Sequence, residues 1–286
     1  MSEHETRRAV GQVKEVTSLA NPLIKDIKAL ALKKFRDQQH AFMAEGLKLV
    51  IDALDLGWSI RTLVFAKAGR GNPAVEKVAA RTVAAGGTVL EVSEKVLTAI
   101  TRRDNPQMVV GVFAQQLLAL KDIHARPGDV WVALDRVRDP GNLGTVIRTV
   151  DAVGAKGVIL VGETTDPFSV EAVRATMGSI FAVPIVKATP EAFLAWRRNF
   201  SGLVAGTHLK GAVDYRSVDF SRGPTLLLMG NEQQGLPDML AESCDRLLRI
   251  PQAGRADSLN LAVATGVMLF EIRRSALKLD PEEAQS

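Results

Sequence analysis

Three polar segments in the second half of the chain each begin where an apolar run ends. The first extends from Asp135 to Gly144, the second from Met229 to Pro237, and the third from Ile250 to Asn260. Apolar runs of this length form buried strands, whereas glycine, proline and uncharged amides at their C-terminal ends form binding sites at one edge of a sheet. The pattern therefore restricts this half of the chain to an α/β fold whose site lies on the loops that follow the strands.

Strand-like runs alternate with helical patterns in the same half. Val130 to Leu134 predicts the first strand, Asn142 to Val153 the first helix, and Leu259 to Leu277 the last helix. Strands joined by helices favour a mainly parallel sheet with helices on both faces. Neither the dinucleotide-binding fingerprint G-x-G-x-x-G nor a P-loop is present, which argues against an ordinary dehydrogenase or a nucleoside triphosphatase.

The first half also alternates short strands and helices and predicts a small α/β domain. Its first element is a basic amphipathic helix from Asn21 to Arg36. At the end of this half lies a segment that contains charges, a proline and a glycine, which is typical of a linker. We therefore divide the chain into an N-terminal domain over residues 1–116, a linker over 117–127 and a C-terminal domain over 128–286.

Charge is distributed unevenly between the two halves. Residues 1–126 contain 19 lysines and arginines against 13 aspartates and glutamates, while the remainder contains 17 against 19. A basic N-terminal domain beside a nearly neutral C-terminal one indicates that the first binds a polyanion. A solvated helix face would explain the same charges equally well.

Composition excludes several classes of site. The single cysteine, Cys244, rules out an intramolecular disulfide and a multi-cysteine zinc site, and the four scattered histidines do not favour any metal. A small, buried, apolar role for Cys244 is favoured over a nucleophile. No apolar run reaches the length of a membrane span, and the polar N-terminus up to Arg8 is not a secretory signal, so we expect a cytoplasmic protein with no membrane partner.

The three polar segments carry a family resemblance. Asn142 and Arg148 match an N-x-x-x-x-x-R motif, Gly230 to Leu236 matches G-x-E-x-x-G-L, and Ile250-Pro251 begins a third motif that continues through Ser258 and Asn260. In order and spacing these resemble the signature motifs of the SpoU (TrmH-like) RNA ribose 2'-O-methyltransferases, a branch of the knotted SPOUT class. The resemblance covers about residues 127 to 275, and it is weaker in the N-terminal domain.

The resemblance implies a C-terminal trefoil knot, an N-terminal RNA-binding domain similar to L30e/L7Ae folds, and a homodimer built on the last helix and the first-motif helix. It implies S-adenosylmethionine as cofactor and no metal. The catalytic residues that it implies are Asn142, Arg148, Glu232, Ser258 and Asn260. The cofactor-binding residues are Met229, Gly230, Ile250, Gly254 and Leu259. For RNA binding we add Lys25, Lys28, Arg36, Lys48 and Arg174.

These residue types suit methyl transfer to a ribose hydroxyl. The hydroxyl is a weak nucleophile at neutral pH, so it must be oriented while its proton leaves, and a guanidinium can bind the adjacent phosphate and stabilise a developing alkoxide. Each residue also has a purely structural interpretation. Asn142 and Ser258 could be helix N-caps, and Arg148 and Arg174 could be ordinary surface arginines.

We therefore predict an S-adenosylmethionine-dependent RNA 2'-O-ribose methyltransferase, with ribosomal RNA favoured over tRNA as substrate. Three alternatives stay open at this point: a non-catalytic RNA-binding protein on the same scaffold, a tRNA 2'-O-methyltransferase, and a base methyltransferase of the wider knotted class.

Overall fold

The computed structural model describes residues 11–208, 212–255 and 258–279, so the N-terminal stretch up to Arg8 lies outside the described part. The chain folds as two compact units. Unit 1 contains the residues up to Gln115 together with the segment Phe168–Phe181, and unit 2 contains Gln116–Pro167 and the residues from Ala182 onward.

The described strands, in chain order, are β1 (Gln12–Val16), β2 (Ala41–Glu45), β3 (Ile60–Ala66), β4 (Thr88–Val92), β5 (Val109–Ala114), β6 (Val130–Asp135), β7 (Gly157–Val161), β8 (Ile185–Ala188), β9 (Leu203–Thr207), β10 (Val213–Asp214), β11 (Thr225–Met229) and β12 (Arg246–Arg249). The helices are α1 (Pro22–Ala29), α2 (Lys33–Gln39), α3 (Leu47–Asp55), α4 (Pro73–Ala84), α5 (Glu94–Thr101), α6 (Pro140–Ala152), α7 (Val170–Ala175), α8 (Pro190–Arg197), α9 (Asp238–Glu242) and α10 (Leu261–Arg273).

Unit 1 is built on a mixed five-stranded sheet in the order β1-β4-β3-β5-β2. The pairs β1–β4 and β4–β3 are parallel, whereas β3–β5 and β5–β2 are antiparallel. Strand β1 is an edge strand with four of its five residues exposed, so it has no apolar alternation and the sequence did not predict it. The predicted small α/β domain is confirmed.

The predicted basic helix from Asn21 to Arg36 is two helices, α1 and α2. Leu32 has an extended backbone (φ −101°, ψ 133°) and separates them. The break turns Arg36 into the interior, where it is 3% exposed and its guanidinium donates to the carbonyl of Leu30 at 2.8 Å. A continuous helical spacing from Leu23 to Leu32 concealed this break, because apolar residues continue across it.

The segment Phe168–Phe181 returns to unit 1 from between β7 and β8. Phe168 and Phe181 join a cluster of aromatic rings, with centroids 4.9 Å and 5.9 Å from that of Phe42. The Trp58 indole donates to the carbonyl of Phe181 at 2.8 Å. This return departs from the predicted division into two consecutive domains. The predicted linker also packs into unit 2, where Leu118 pairs with Val186.

Unit 2 contains a seven-stranded sheet in the order β10-β12-β9-β11-β6-β7-β8, and every adjacent pair is parallel. The central strands β6, β7 and β11 are buried along their whole length, which explains their continuous apolar sequences. The predicted mainly parallel α/β fold is confirmed.

Helix α10 is shorter than predicted and packs against α6. An added Cβ on Gly266 would lie 3.8 Å from Thr149, and the Arg273 guanidinium donates to the carbonyl of Val153 at 3.0 Å. Val263 and Phe270 are each 54% exposed. The helix is therefore apolar on its exposed side as well as on its buried side.

Candidate active site

The three polar segments follow β6, β11 and β12, whose carboxyl ends lie at the same edge of the parallel sheet. Such an edge is where open α/β sheets bind ligands. The backbone leaves β6 through Arg136, which has a left-handed conformation (φ 46°). Its guanidinium pairs with the buried carboxylate of Asp135 at 2.9 Å, and this hydrogen-bonded pairing raises the pKa of Arg136.

Helix α6 begins two residues earlier than the sequence predicted. Its N-cap is Asp139, whose carboxylate accepts from the backbone N–H of Asn142 at 2.6 Å. The interpretation of Asn142 as the N-cap is therefore wrong. Because the Asp139 side chain accepts the hydrogen bond at the start of the helix, the amide side chain of Asn142 is not needed as a cap and is available for contacts with other loops.

Asn142 connects all three polar segments. Its Oδ1 accepts a hydrogen bond from Nδ2 of Asn260 at 2.9 Å, and its Nδ2 donates to Oε1 of Glu232 at 3.4 Å. The partners are 118 and 90 positions away in sequence. The structure thus brings together three of the five predicted catalytic residues, one from each segment.

Asn231 organises the second segment and was not predicted. Its Nδ2 donates to the carbonyl of Arg136 at 2.8 Å and lies 3.4 Å from Oε2 of Glu232, and its Oδ1 accepts from the backbone N–H of Gln233 at 3.0 Å. The side chain is buried (8% exposed). An asparagine two residues after a fully buried strand was the sequence signal for it, because a buried amide needs hydrogen-bond partners.

Gly230 is required by the packing of its own loop. A Cβ there would lie 2.2 Å from the backbone of Gly235 and Leu236. Asn231 and Gly235 exchange backbone hydrogen bonds at 3.1 and 2.8 Å, which holds the loop against Gly230. The packing of this loop is therefore sufficient to require a glycine at position 230.

In the third segment the N-cap of α10 is Asn260, whose Oδ1 accepts from the backbone N–H groups of Ala262 and Val263. The N-cap interpretation of Ser258 is therefore wrong, and Ser258 is an exposed residue two positions before the cap. Asn260 does two things at once, since the same side chain caps the helix through Oδ1 and contacts Asn142 through Nδ2.

Arg148 is not part of this cluster. It is exposed and, within the described residues, makes no hydrogen bond or ion pair. Six residues along a helix place it about 120° around the axis from Asn142. Its guanidinium is therefore available to an external anion.

The predicted cofactor residues divide by exposure. Met229 is buried at the end of β11 (2% exposed), so only its main chain can face a ligand. Ile250 is half-buried and Leu259 is 39% exposed. A Cβ added to Gly254 would meet no atom within 4 Å, so open space adjoins this loop.

The predicted RNA-binding residues, all in unit 1, differ in their exposure and in their side-chain partners. Lys25 is exposed, and Lys28 is half-buried on the same helix. Lys48 is exposed and pairs with Asp52 at 2.6 Å. Arg36 is buried, so its prediction as an RNA contact is wrong. Arg174 is held within unit 1 by Glu45 at 2.7 Å and by the carbonyl of Thr101 at 3.0 Å.

Across the described ranges, no group of three or more histidine, cysteine, aspartate or glutamate side chains is placed to hold a metal ion. None of the helices described is long and apolar enough to span a bilayer.

Burial raises the pKa of the Cys244 thiol to about 12, and its Sγ donates to the carbonyl of Leu240 at 3.3 Å.

Two family models match consecutive parts of the chain. Residues 21–111 match the MRM3-like substrate binding domain, and residues 129–270 match the SpoU rRNA Methylase family. The second match contains Asn142, Arg148, Glu232, Ser258 and Asn260.

Relatives extend the similarity over most of the chain. The 23S rRNA (guanosine(2553)-2'-O)-methyltransferase RlmP of Bacillus subtilis is 30% identical over 91% of this chain and 100% of its own length. The 23S rRNA (uridine(2479)-2'-O)-methyltransferase of Streptomyces viridochromogenes is 33% identical over 85% of each chain.

A crystal structure of an rRNA methyltransferase from Sinorhizobium meliloti with bound AdoMet is 65% identical, with a TM-score of 0.89 over 93% of this chain and 99% of the other. The AviRb SpoU methyltransferase of Streptomyces viridochromogenes, in complex with the cofactor AdoMet, is 31% identical with a TM-score of 0.80 over 90% and 98% of the two chains. The similarity covers both units and nearly the full length of each relative. This chain belongs to the SpoU rRNA methylase family.

Proposed function

We propose that this protein is an S-adenosylmethionine-dependent methyltransferase that modifies a ribose 2'-hydroxyl of ribosomal RNA. The observation that carries the proposal is the hydrogen-bonded link from Glu232 through Asn142 to Asn260, which joins the three polar segments at one sheet edge. Membership of the SpoU family and relatives named as 23S rRNA 2'-O-methyltransferases support the same reaction.

The loops after β11 and β12 suit the cofactor. The main chain of Met229, Gly230, Ile250, Gly254 and Leu259 would hold it, with the open space beside Gly254 at the loop surface. Main-chain donors and acceptors at the carboxyl ends of parallel strands recognise the polar edges of an adenosyl group without a charged side chain. When bound, S-adenosylmethionine supplies an electrophilic methyl group on its sulfonium sulfur.

The side chains would position the ribose. Glu232 is exposed beside Asn142, where its carboxylate can accept the hydrogen bond of the 2'-hydroxyl and hold the departing proton. Asn142 and Asn260 hold that carboxylate in place, and Ser258 lies two residues before Asn260. Arg148 would bind the adjacent phosphate, since it has no partner in the described part of the chain. Catalysis then rests mainly on orientation of the hydroxyl in line with the methyl group.

Unit 1 would bind the RNA. The match to a substrate binding domain over residues 21–111 and the basic excess of this region both support this role. Lys25, Lys28 and Lys48 are the predicted contacts that remain after the correction of Arg36. Arg174 is already paired with Glu45, so binding an RNA phosphate would compete with that ion pair. We therefore assign Arg174 primarily a role in stabilising unit 1.

We also propose a cytoplasmic homodimer with a C-terminal trefoil knot. The exposed apolar residues of α10, Val263 and Phe270, are suited to burial against a second copy. Replacing Phe270 with Glu should shift the protein toward the monomer in sedimentation velocity. Leu56 in unit 1 is equally exposed (54%), so Leu56→Glu is the matched control and should leave the sedimentation coefficient unchanged.

The test of function is methyl transfer from tritiated S-adenosylmethionine to total RNA prepared from cells that lack the protein. Label should appear in ribosomal RNA, and nuclease digestion should release it as a 2'-O-methylated nucleotide. Label on a base would favour a base methyltransferase, label in tRNA alone would favour a tRNA enzyme, and RNA binding without any label would favour a non-catalytic protein.

A further inference from the structure

A cleft of about 170 Å³ lies in unit 1 between α1 and the sheet. From the sheet it is lined by Thr88, Thr62 and Val112, which are aligned across β4, β3 and β5 by the strand register. From α1 and its C-cap residue Leu30 it is lined by a stripe with helical spacing, which consists of Leu23, Asp26, Ile27 and Leu30. It is separate from the methyltransferase loops, which all belong to unit 2.

The cleft combines apolar walls with a polar rim. Ile27, Leu30 and Val112 are buried and form apolar walls of the cleft. The hydroxyls of Thr62 and Thr88 make no hydrogen bond to any residue of the described ranges. Arg61 is also on the rim, where its guanidinium is fixed by a 2.6 Å hydrogen bond to the carbonyl of Gln39. A slot with apolar walls and a few convergent polar groups suits a flat heterocycle.

Asp26 is the acidic residue among those that line the cleft. It lies on a strongly basic stretch, yet its carboxylate forms no ion pair or hydrogen bond with the residues that the structure describes. Asp37, on the same stretch, is likewise exposed and unpaired within the described ranges but lies outside the cleft, so Asp26 is the carboxylate placed to accept hydrogen bonds from a base held there. All the lining residues except Val112 fall inside the region that matches a substrate binding domain.

We propose that this cleft binds one unstacked nucleobase of the RNA substrate and that Asp26 selects guanine. Guanine carries two adjacent donors, N1–H and the 2-amino group, which a carboxylate can accept together. Adenine and cytosine offer an amino group alone, and in uracil the single N3–H lies between two carbonyl oxygens that repel a carboxylate. The Arg61 guanidinium can stack on the ring or contact the adjacent phosphate. The inference rests on the proposed function only in taking RNA as the ligand.

The experiment measures fluorescence anisotropy of the full chain with labelled single-stranded RNA decamers. All are oligouridine except for one central nucleotide, which is guanosine, inosine, adenosine or uridine. We expect the guanosine decamer to bind tightest, by roughly 5- to 100-fold over oligouridine, the discrimination that one bidentate pair gives. Inosine, which lacks the 2-amino group, should fall between them.

Asp26→Asn should abolish the preference for guanosine over inosine and uridine. Asp37→Asn is the matched control, because Asp37 is an exposed aspartate of the same basic stretch outside the cleft. Both variants lose one negative charge, so a general gain in RNA affinity should appear in both, but the preference should survive only in Asp37→Asn. Thermal melts confirm that each variant is folded.

Equal binding of the four decamers by the wild type, or a guanosine preference that survives Asp26→Asn, would overturn the inference. These outcomes are independent of methyl transfer. A protein that shows the preference but transfers no methyl group would contradict the proposed function alone, and one that methylates rRNA without the preference would contradict the base cleft alone.

Discussion

Asn142 and Asn260 are joined by a 2.9 Å hydrogen bond between their side-chain amides, although 118 positions separate them in sequence. Asn260 also caps α10 with its other amide atom, so the start of the last helix and the start of α6 are fixed relative to each other. The relationship couples the third polar segment to the first, and Glu232 of the second segment accepts a hydrogen bond from the same Asn142 side chain.

Replacement of Asn142 with Ala should therefore lower the rate of methyl transfer far more than stability. We expect kcat to fall roughly 100- to 1,000-fold, the usual loss when one preorganised polar group of an active site is removed. Alanine favours helix at this position, so Tm should not decrease much. Single-turnover kinetics and thermal melts measure both. Thr145→Ala, an exposed change on the same helix, should leave both values near wild type.

Arg148→Ala should abolish transfer while S-adenosylmethionine still binds, because Arg148 is exposed and separate from the cofactor loops. Arg148→Lys should not restore the rate, since a lysine cannot contact phosphate oxygens bidentately. Calorimetric titration of the cofactor together with the transfer assay separates the two effects. Normal turnover in the alanine variant would contradict the role. Arg198, an exposed arginine elsewhere in unit 2, provides the control substitution to Ala.

Gly230→Ala tests the packing of the second segment. The new methyl group would lie 2.2 Å from the backbone of Gly235, so the loop has to shift. We expect a loss of about 1–3 kcal/mol in the free energy of unfolding, the usual cost of overpacking, together with weaker cofactor binding. Gly223→Ala meets no atom within 4 Å and should change neither measurement. Equal unfolding midpoints for the two variants in urea would show that the loop does not depend on Gly230.

The ion pair of Glu45 and Arg174 should matter to unit 1 more than a surface pair does. The Glu45 carboxylate is 8% exposed, so Glu45→Ala leaves the Arg174 guanidinium without its anionic partner and with only the carbonyl of Thr101 among the described residues. Breaking a buried pair costs about 3–5 kcal/mol, and because the Arg174 side chain is 30% exposed we expect roughly half of that. Lys48→Ala breaks an exposed pair and should cost less than about 1 kcal/mol. Urea denaturation of both variants measures the difference.

Cys244 should resist thiol reagents in the folded protein. Burial raises its pKa to about 12, so almost no thiolate exists at pH 8, and the thiolate is the reactive form. Reaction with DTNB should be slow in buffer and complete within seconds in 6 M guanidinium chloride. Fast labelling of the folded protein at pH 8 would show that the thiol is exposed and would contradict the buried, apolar role predicted for it.

The sequence was sufficient to predict the central strands of unit 2 and the loops that carry the site. β6, β7 and β11 are continuous apolar runs because both faces of a central parallel strand are buried, and the polar residues after β6 and β11 stand at the sheet edge for the same reason. The edge strand β1 escaped prediction because most of its residues are exposed and its hydrogen bonds to β4 leave no sequence pattern.

The roles of individual polar residues depended on where each helix begins. Asp139 and Asn260 are the N-caps of α6 and α10, not Asn142 and Ser258, because several neighbouring polar residues could serve as a cap and only the packed structure selects one. Arg36 shows the same limit for charge, since its position after a helix break decides that it is buried.

The sequence by itself therefore determined the parallel α/β class of unit 2, the three loops of the site and the family to which they belong, because strand periodicity and motif spacing are local properties of the chain. Only the tertiary structure decided that Asn142 contacts Glu232 and Asn260, that residues 168–181 fold back into unit 1, and that Arg174 pairs with Glu45. These contacts join residues about 90 to 130 positions apart, and their formation depends on how packed strands and helices place polar groups that must find partners.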